Sequence, residues 1–163
     1  MTLYAQTGSA DHTDRSHLGT PEAADATRIG SNTARMLIPT DATGGQLGLF
    51  SLSLASKGPF ASPHFHKEMT ELFVVLSGEV QLLRGDEPVD AKAGSALYVP
   101  PGTPHGFANI SDEPAELLVA FMPGNGREKF FYGLSDLLNR DVAPTEEELE
   151  EFAEQFDQYR YRS

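Results

Sequence analysis

Two histidines and a carboxylate stand close together in the stretch HFHKEMTE, residues 64–71. In a β-strand, side chains two residues apart point to the same face, so His64 and His66 project together. The KEMT that follows is long enough to turn the chain and return Glu71 to that face. His105 comes after a second turn, PPGTP. Three neutral imidazoles and one carboxylate suit a divalent metal and leave one or two coordination positions for water, substrate or dioxygen.

These four residues fall within two longer patterns. The first is G-x5-HFH-x4-E-x6-G from Gly58 to Gly78, and the second is G-x5-PPG-x2-H-x3-N from Gly94 to Asn109. An isolated His-x-His pair is a weak signal, whereas the two patterns together are highly specific. With fifteen residues between them, they resemble the two signature motifs of the cupin superfamily, and every position of both motifs is matched.

The resemblance implies an all-β fold, a small double-stranded β-helix or jelly roll, with ligands on inward-facing strand positions. It implies that His64, His66, Glu71 and His105 bind one divalent transition metal. Iron, manganese, nickel, cobalt, copper and zinc all accept this ligand set. The motif glycines are implied as turn residues, and Asn109 is implied as a structural residue and not a ligand.

The chain divides by composition into a polar N-terminal arm (1–30), a cupin barrel (31–124) and a C-terminal helical extension (125–163). Residues 5–27 contain a single large aliphatic residue, Leu18. Such a segment cannot by itself bury enough apolar surface to offset the entropy lost on ordering. We therefore expect a homodimer in which the arm or an edge strand crosses to the partner subunit.

Beyond the arm, short apolar runs alternate with turn signals, which is typical of a sandwich or barrel. In LGLFSLSLA the leucines alternate with other residues, but the alternation shifts by one residue near Phe50, which predicts a β-bulge there. Two segments, 127–138 and 144–159, have the apolar spacing of helices and predict two C-terminal α-helices. Thr145 with Glu148 three residues later predicts a capping box at the start of the second helix.

Charge and composition exclude several classes of function. The net charge is −12, from 24 acidic and 12 basic residues, and no basic patch is visible, so we expect no nucleic-acid or membrane partner. The chain has no cysteine, so any metal must use nitrogen and oxygen ligands. It shows no leader-like segment and no apolar run of about 18 residues, which predicts a cytoplasmic protein.

Strand alternation also predicts the surroundings of the metal. Phe73, Val75 and Phe107 fall on the same strand faces as the candidate ligands, and we expect Tyr98 to face inward as well. These four residues would form an apolar, aromatic substrate pocket suited to a flat hydrophobic molecule. Ordinary packing of the barrel interior explains the same pattern equally well.

From residue 35 to residue 138 the chain resembles single-domain, quercetin 2,3-dioxygenase-like cupins. The likeness is carried by RMLIPTDATGGQ, the two motifs, ISDEPAELLVAFMPGNGREKFFYGL and the terminal acidic helix. It implies a metal-dependent dioxygenase acting on a flavonol-like or other enolic or phenolic aromatic molecule. Glu71 would be both a metal ligand and the catalytic proton acceptor. Because fold does not decide function, two alternatives stay open: a non-oxidative cupin enzyme (polyketide cyclase, isomerase or lyase), or a small-molecule-binding cupin without catalysis.

Overall fold

The computed structural model describes residues 16–58 and 61–162. The first half of the predicted arm, with His12, lies outside the described residues, and the predicted homodimer stays a prediction. The strands are β1 (Ala26–Ile29), β2 (Asn32–Ile38), β3 (Gly48–Leu54), β4 (Ala61–Phe65), β5 (Thr70–Ser77), β6 (Glu79–Arg84), β7 (Glu87–Lys92), β8 (Ala96–Val99), β9 (His105–Ala108), β10 (Ala115–Met122) and β11 (Tyr159–Arg160). The helices are a 3-10 turn (Thr40–Thr43), α1 (Arg127–Leu138) and α2 (Glu146–Glu154).

Two antiparallel sheets face each other and form the predicted jelly roll. One sheet has the strand order β1-β2-β3-β10-β5-β8, and the other has the order β11-β4-β9-β6-β7. Strand β10 is central in the larger sheet, where Val119 pairs with Phe50 on one side and Phe73 on the other. These three side chains are at most 1% exposed, because alternate residues of each strand point between the sheets. The core between the sheets positions the strand ends that carry the site.

The predicted irregularity near Phe50 is present, but on the partner strand. Met36 pairs with Phe50 and Ile38 pairs with Leu49, so β2 carries the one extra residue. Strand β3 itself keeps one phase, with Phe50, Leu52 and Leu54 all buried, although Ser51 between them is buried as well. The leucine pattern slips because Leu49 is half-buried on the opposite face of β3.

The motif glycines form turns, as predicted. Gly78, Gly94 and Gly102 have φ values of 74°, 91° and 79°, in the left-handed region that favours glycine. At Gly78, a Cβ atom would also lie 2.7 Å from the carbonyl oxygen of Pro114. The turn between β5 and β6 therefore requires glycine for both conformation and space.

The two C-terminal helices are confirmed, with a change at the end of the second. Helix α1 has the predicted bounds, and the capping box between Thr145 and Glu148 is formed. Helix α2, however, ends at Glu154 and does not continue to Tyr159. The chain turns at Asp157, with φ of 58°, and enters β11, which pairs with β4. Neither α1 nor α2, nor any other helix in the described part of the chain, is long and apolar enough to cross a membrane.

Candidate metal centre

The structure brings the four predicted ligands together at one point between the two sheets. His64 lies in β4, His105 in β9 and Glu71 in β5, while His66 directly follows β4. Their side chains are buried, with 1–5% exposure. One potential ligand atom from each residue lies within 4.8 Å of the others. Neighbouring strands and a short turn are therefore enough to assemble the cluster.

Backbone carbonyl groups orient all three imidazole rings. The pairs are His64 Nδ1 with Ser62 O at 2.7 Å, His66 Nδ1 with Asp157 O at 2.6 Å, and His105 Nδ1 with Thr103 O at 2.9 Å. A carbonyl oxygen only accepts hydrogen bonds, so each Nδ1 carries the proton and donates it. When a ring held in this way is neutral, its lone pair is on Nε2, which is the protonation state in which histidine binds a metal.

The Nε2 atoms converge on the carboxylate of Glu71. Glu71 Oε2 lies 3.0 Å from Nε2 of His66 and 2.6 Å from Nε2 of His105. Two lone-pair atoms approach this closely only when a proton or a metal cation lies between them. Three nitrogen donors and one anionic oxygen are a donor set that divalent transition metals accept, so the buried cluster can hold such an ion.

The protonation states at neutral pH favour metal binding. Burial raises the pKa of Glu71, but hydrogen bonds from His105 and His66 outweigh it and hold the pKa of this carboxyl below its usual range. Burial, followed by the charge of His105, lowers the pKa of His64 to about 3. Glu71 is therefore ionised and His64 is neutral, as a metal site requires.

We expect the metal-free protein to lose stability as the pH falls below 6.5. The unfolded chain binds a proton at His64 near pH 6.5, whereas the folded chain binds it only near pH 3, so acid favours unfolding. Between pH 7 and pH 5 the loss from this residue is about 2 kcal/mol. Urea unfolding of chelator-treated protein at pH 7 and pH 5 measures the difference.

Substitutions at two histidines distinguish the contribution of His64 from the titration of the other ionisable groups. His64→Gln should flatten the pH dependence, whereas the same change at the exposed His17 should leave it unaltered. Equal stability of the wild-type protein at pH 7 and pH 5 would show that the pKa of His64 is not depressed.

The segment after α2 fixes one side of the centre. The carboxylate of Asp157 accepts hydrogen bonds from the backbone N–H groups of Lys67, Glu68 and Met69, each at 2.9 Å. Its carbonyl oxygen accepts the bond from His66 Nδ1. Asp157 thus holds both the turn between β4 and β5 and the ring of a ligand. Sequence reasoning missed it, because it stands 91 residues from His66 and lies within a segment whose pattern predicts a continuous helix.

We expect Asp157→Asn to lower the metal affinity by about 10- to 100-fold, the usual effect of losing a partner that orients a ligand. Asparagine tolerates the left-handed backbone of this position, but it lacks the charge and one of the two acceptor oxygens. Competitive titration against a fluorescent chelator measures the affinity. Asp86→Asn is the matched control, because the carboxylate of Asp86 accepts a hydrogen bond from Tyr161 Oη of the same C-terminal segment, at 2.8 Å, and is not a partner of any candidate ligand in the described part of the chain. Equal affinities in the two variants would contradict the role of Asp157.

The cluster opens onto a cavity of about 390 Å³. Of the four candidate ligands, His64 and Glu71 line it. Most of its wall is apolar and comes from β3, β10 and the two helices, with Phe121, Phe131 and Leu134 among the lining residues. The inner end is therefore polar and the walls are hydrophobic.

The predicted pocket residues divide into three groups. Phe107 lines the cavity, as expected. Phe73 and Val75 are buried in the core and are not among the lining residues, although the Phe73 ring lies 6.0 Å from the rings of both His105 and Phe107. The prediction that Tyr98 faces inward is wrong, because this side chain is 63% exposed. In β8 the inner face is taken by Leu97 and Val99 instead.

Sequence reasoning also missed the wall supplied by α1. Arg127, Phe130, Phe131 and Leu134 line the cavity, together with Phe152 of α2. The helical spacing of these residues was a signal, but it predicts core packing as readily as a cavity wall. Arg127 is 3% exposed, and burial lowers its pKa to about 10, so the guanidinium stays charged at neutral pH.

The sequence of the chain is similar to a known domain and to curated proteins. Residues 51–121 match the family model described as Cupin domain. Polyketide synthase CurC of Streptomyces cyaneus is 26% identical over 89 residues, which are 55% of this chain and 58% of that protein. An uncharacterized protein of Streptomyces coelicolor is 34% identical over 77 residues, covering 47% of this chain and 69% of that protein. The chain spans 52–69% of the length of the curated relatives it matches.

Solved structures show the same architecture. The polyketide cyclase RemF from Streptomyces resistomycificus has a TM-score of 0.54 at 25% identity, covering 68% of this chain and 80% of that one. A sugar phosphate isomerase of the cupin superfamily from Silicibacter pomeroyi has a TM-score of 0.53 at 26% identity, covering 62% of this chain and 72% of that one. The domain match, the shared jelly roll and the buried histidine–glutamate cluster lead to one conclusion: the chain belongs to the cupin superfamily.

Proposed function

We propose that the chain is a metal-dependent enzyme that closes a ring in an enolic or phenolic, polyketide-like molecule without oxidising it. The observation that carries the proposal is the cavity of about 390 Å³, where His64 and Glu71 meet mostly apolar, aromatic walls. Such walls suit a flat hydrophobic molecule. They disfavour a polyhydroxylated one, whose polar groups would lose water without gaining partners.

The similar proteins support this choice. The relative from Streptomyces cyaneus is named a polyketide synthase and the structure from Streptomyces resistomycificus is described as a polyketide cyclase, at 26% and 25% identity. The sugar phosphate isomerase is equally similar, at 26% identity. The apolar walls of the cavity favour the polyketide class over the sugar phosphate.

The residues of the centre can perform the proton transfers of an aldol-type ring closure. A metal held by His64, His66, Glu71 and His105 would supply a Lewis acid for a carbonyl or enol oxygen. Glu71 is ionised and lines the cavity, so it can accept the proton of a carbon between two carbonyl groups. That carbon then bonds to a second carbonyl carbon, whose oxygen takes the proton back from Glu71. The new hydroxyl group then leaves as water together with a second proton from the attacking carbon, which places a double bond in the ring. The apolar walls exclude water and confine the two reacting groups.

A dioxygenase of the quercetinase type is the second candidate. The observation in its favour is the donor set, because three imidazoles and a carboxylate accept redox-active iron, manganese or copper as well as zinc. In that reaction Glu71 would accept the proton of a flavonol hydroxyl, and dioxygen would be the second substrate.

An oxygen-electrode and mass-spectrometry screen distinguishes the candidates. Protein loaded separately with iron, manganese, nickel, cobalt, copper and zinc is incubated with a linear triketone and with a flavonol. We expect the triketone to give a product lighter by one water, with no oxygen consumed. Oxygen uptake with the flavonol, and no conversion of the triketone, would instead establish the dioxygenase. Metal binding without turnover of either compound would overturn both candidates and leave a binding protein.

A further inference from the structure

Arg127 is a buried cation that the proposed ring closure does not use. It begins α1, is 3% exposed, and lines the same cavity as His64 and Glu71. Within the described part of the chain, its Nε is the one buried side-chain nitrogen or oxygen that lacks a hydrogen-bond partner. A buried unpaired donor costs free energy, and its presence beside a cavity needs an explanation.

The known contacts of Arg127 leave its charge uncompensated. Its two terminal nitrogens donate to the backbone carbonyl of Phe156 and to the side-chain oxygen of Gln158, which are both neutral acceptors. No described carboxylate forms an ion pair with it, and Glu71 and Asp157 attract it only from a longer distance. Buried arginine is ordinarily paired with an anion. The described residues therefore leave open which anion Arg127 pairs with.

Aromatic stacking explains the position of the guanidinium but not its free donor. The Cζ atom of Arg127 lies 3.7 Å from the centre of the Phe130 ring and 4.5 Å from that of Phe121. Such contacts stabilise a cation and fix the plane of the guanidinium. They do not provide an acceptor for Nε–H. Stacking thus holds the group rigid, as a binding site for a ligand oxygen requires.

The charges around the cavity favour an anionic ligand. Its inner end holds one negative charge at Glu71 and one positive charge at Arg127. A divalent ion at the cluster would raise the total to two positive charges. At the outer end, Arg160 is paired with Glu146 and Glu150, and Arg162 is paired with Glu150, so that two positive and two negative charges balance there.

We infer that Arg127 binds an anionic oxygen of the ligand, so that the cavity selects flat aromatic acids or enolates carrying acidic oxygens at two places. One oxygen faces the four-residue cluster, and the other accepts from the guanidinium of Arg127. This inference deepens the proposed function, and it rests on that function for the ligand oxygen that faces the four-residue cluster. It narrows the substrate class from polyketide-like molecules in general to those with a carboxylate or a second enolate.

Binding of salicylate and of its neutral isostere salicylamide tests the inference by calorimetry on the zinc-loaded protein. We expect the preference for the acid over the amide to fall about 10-fold or more in Arg127→Met, because a hydrogen bond between charged groups is lost. Arg140→Met is the matched control, since Arg140 is an exposed arginine just beyond the other end of α1, paired with Glu148. It should keep the wild-type preference. An unchanged preference in Arg127→Met would overturn the inference.

Two further measurements keep the test decisive. In the wild-type protein, the Nε–H nuclear magnetic resonance signal of Arg127 should shift on adding salicylate and not on adding salicylamide, whether or not Arg127→Met folds. If the signal shifts with neither compound, the inference is contradicted.

Repeating the calorimetry on metal-free protein separates the inference about Arg127 from the proposed ring closure. A preference that still depends on Arg127 there supports the anion site even if the ring-closure screen fails, and the loss of that dependence would limit the inference to a metal effect and so overturn it.

Discussion

Replacing His64 by alanine is expected to lower the affinity for a divalent metal by more than about 100-fold while the barrel stays folded. Removing a residue that only orients a metal ligand usually lowers the metal affinity about 10- to 100-fold. We expect a larger loss here, because His64 is itself a candidate ligand. Its ring lines the cavity, so truncation enlarges an existing space instead of creating a sealed void in the core. Elemental analysis of untagged protein after equilibration with limiting metal measures the occupancy.

The exposed His17 provides the matched control for His64→Ala. His17→Ala should retain full metal occupancy, because the exposed ring of His17 hydrogen-bonds to the carbonyl oxygen of Leu37, away from the cluster. Circular dichroism should show the same strand content for both variants. An unfolded His64→Ala protein would mean that metal binding is required for folding. Full occupancy in a folded His64→Ala protein would remove His64 from the ligand set.

Replacing Glu71 by glutamine is expected to lower kcat by about 100- to 10,000-fold at saturating metal, the usual range for a lost acid–base group. The amide keeps the shape of the side chain and can donate to Nε2 of His105, so the fold should persist at pH 7. It cannot accept the substrate proton. The measurement is turnover of the compound that the metal-loaded wild-type protein converts, with metal content determined on the same samples.

Glu68→Gln is the control for Glu71→Gln, since Glu68 is an exposed glutamate in the turn just before β5. It should leave kcat unchanged. If Glu71→Gln retains wild-type turnover with a full complement of metal, Glu71 does not carry the proton, and its contribution is limited to binding the metal.

The ligand cluster could be predicted from the sequence because its geometry is local. His64 and His66 are fixed relative to each other by strand alternation, and a short turn sets the position of Glu71. The glycines that make such turns are readable in the sequence, since few other residues adopt positive φ. His105 enters through β9, which lies between β4 and β6.

The wall of the cavity could not be predicted in the same way. An apolar helical stripe such as that of α1 packs against a core or lines a cavity with the same spacing. Asp157 and Arg127 act through partners far away in the chain, so no local pattern marks them. Tyr98 was misplaced because β8 has only four residues, with apolar side chains on both faces, which leaves its phase undetermined.

Anomalous diffraction from a crystal of the metal-loaded protein tests the central claim most directly. The account predicts one strong peak between the two sheets, about 2.0–2.2 Å from the Nε2 atoms of His64, His66 and His105 and from a carboxylate oxygen of Glu71. A peak bound elsewhere on the chain, or no peak at this point in protein that elemental analysis shows to be fully loaded, would contradict it.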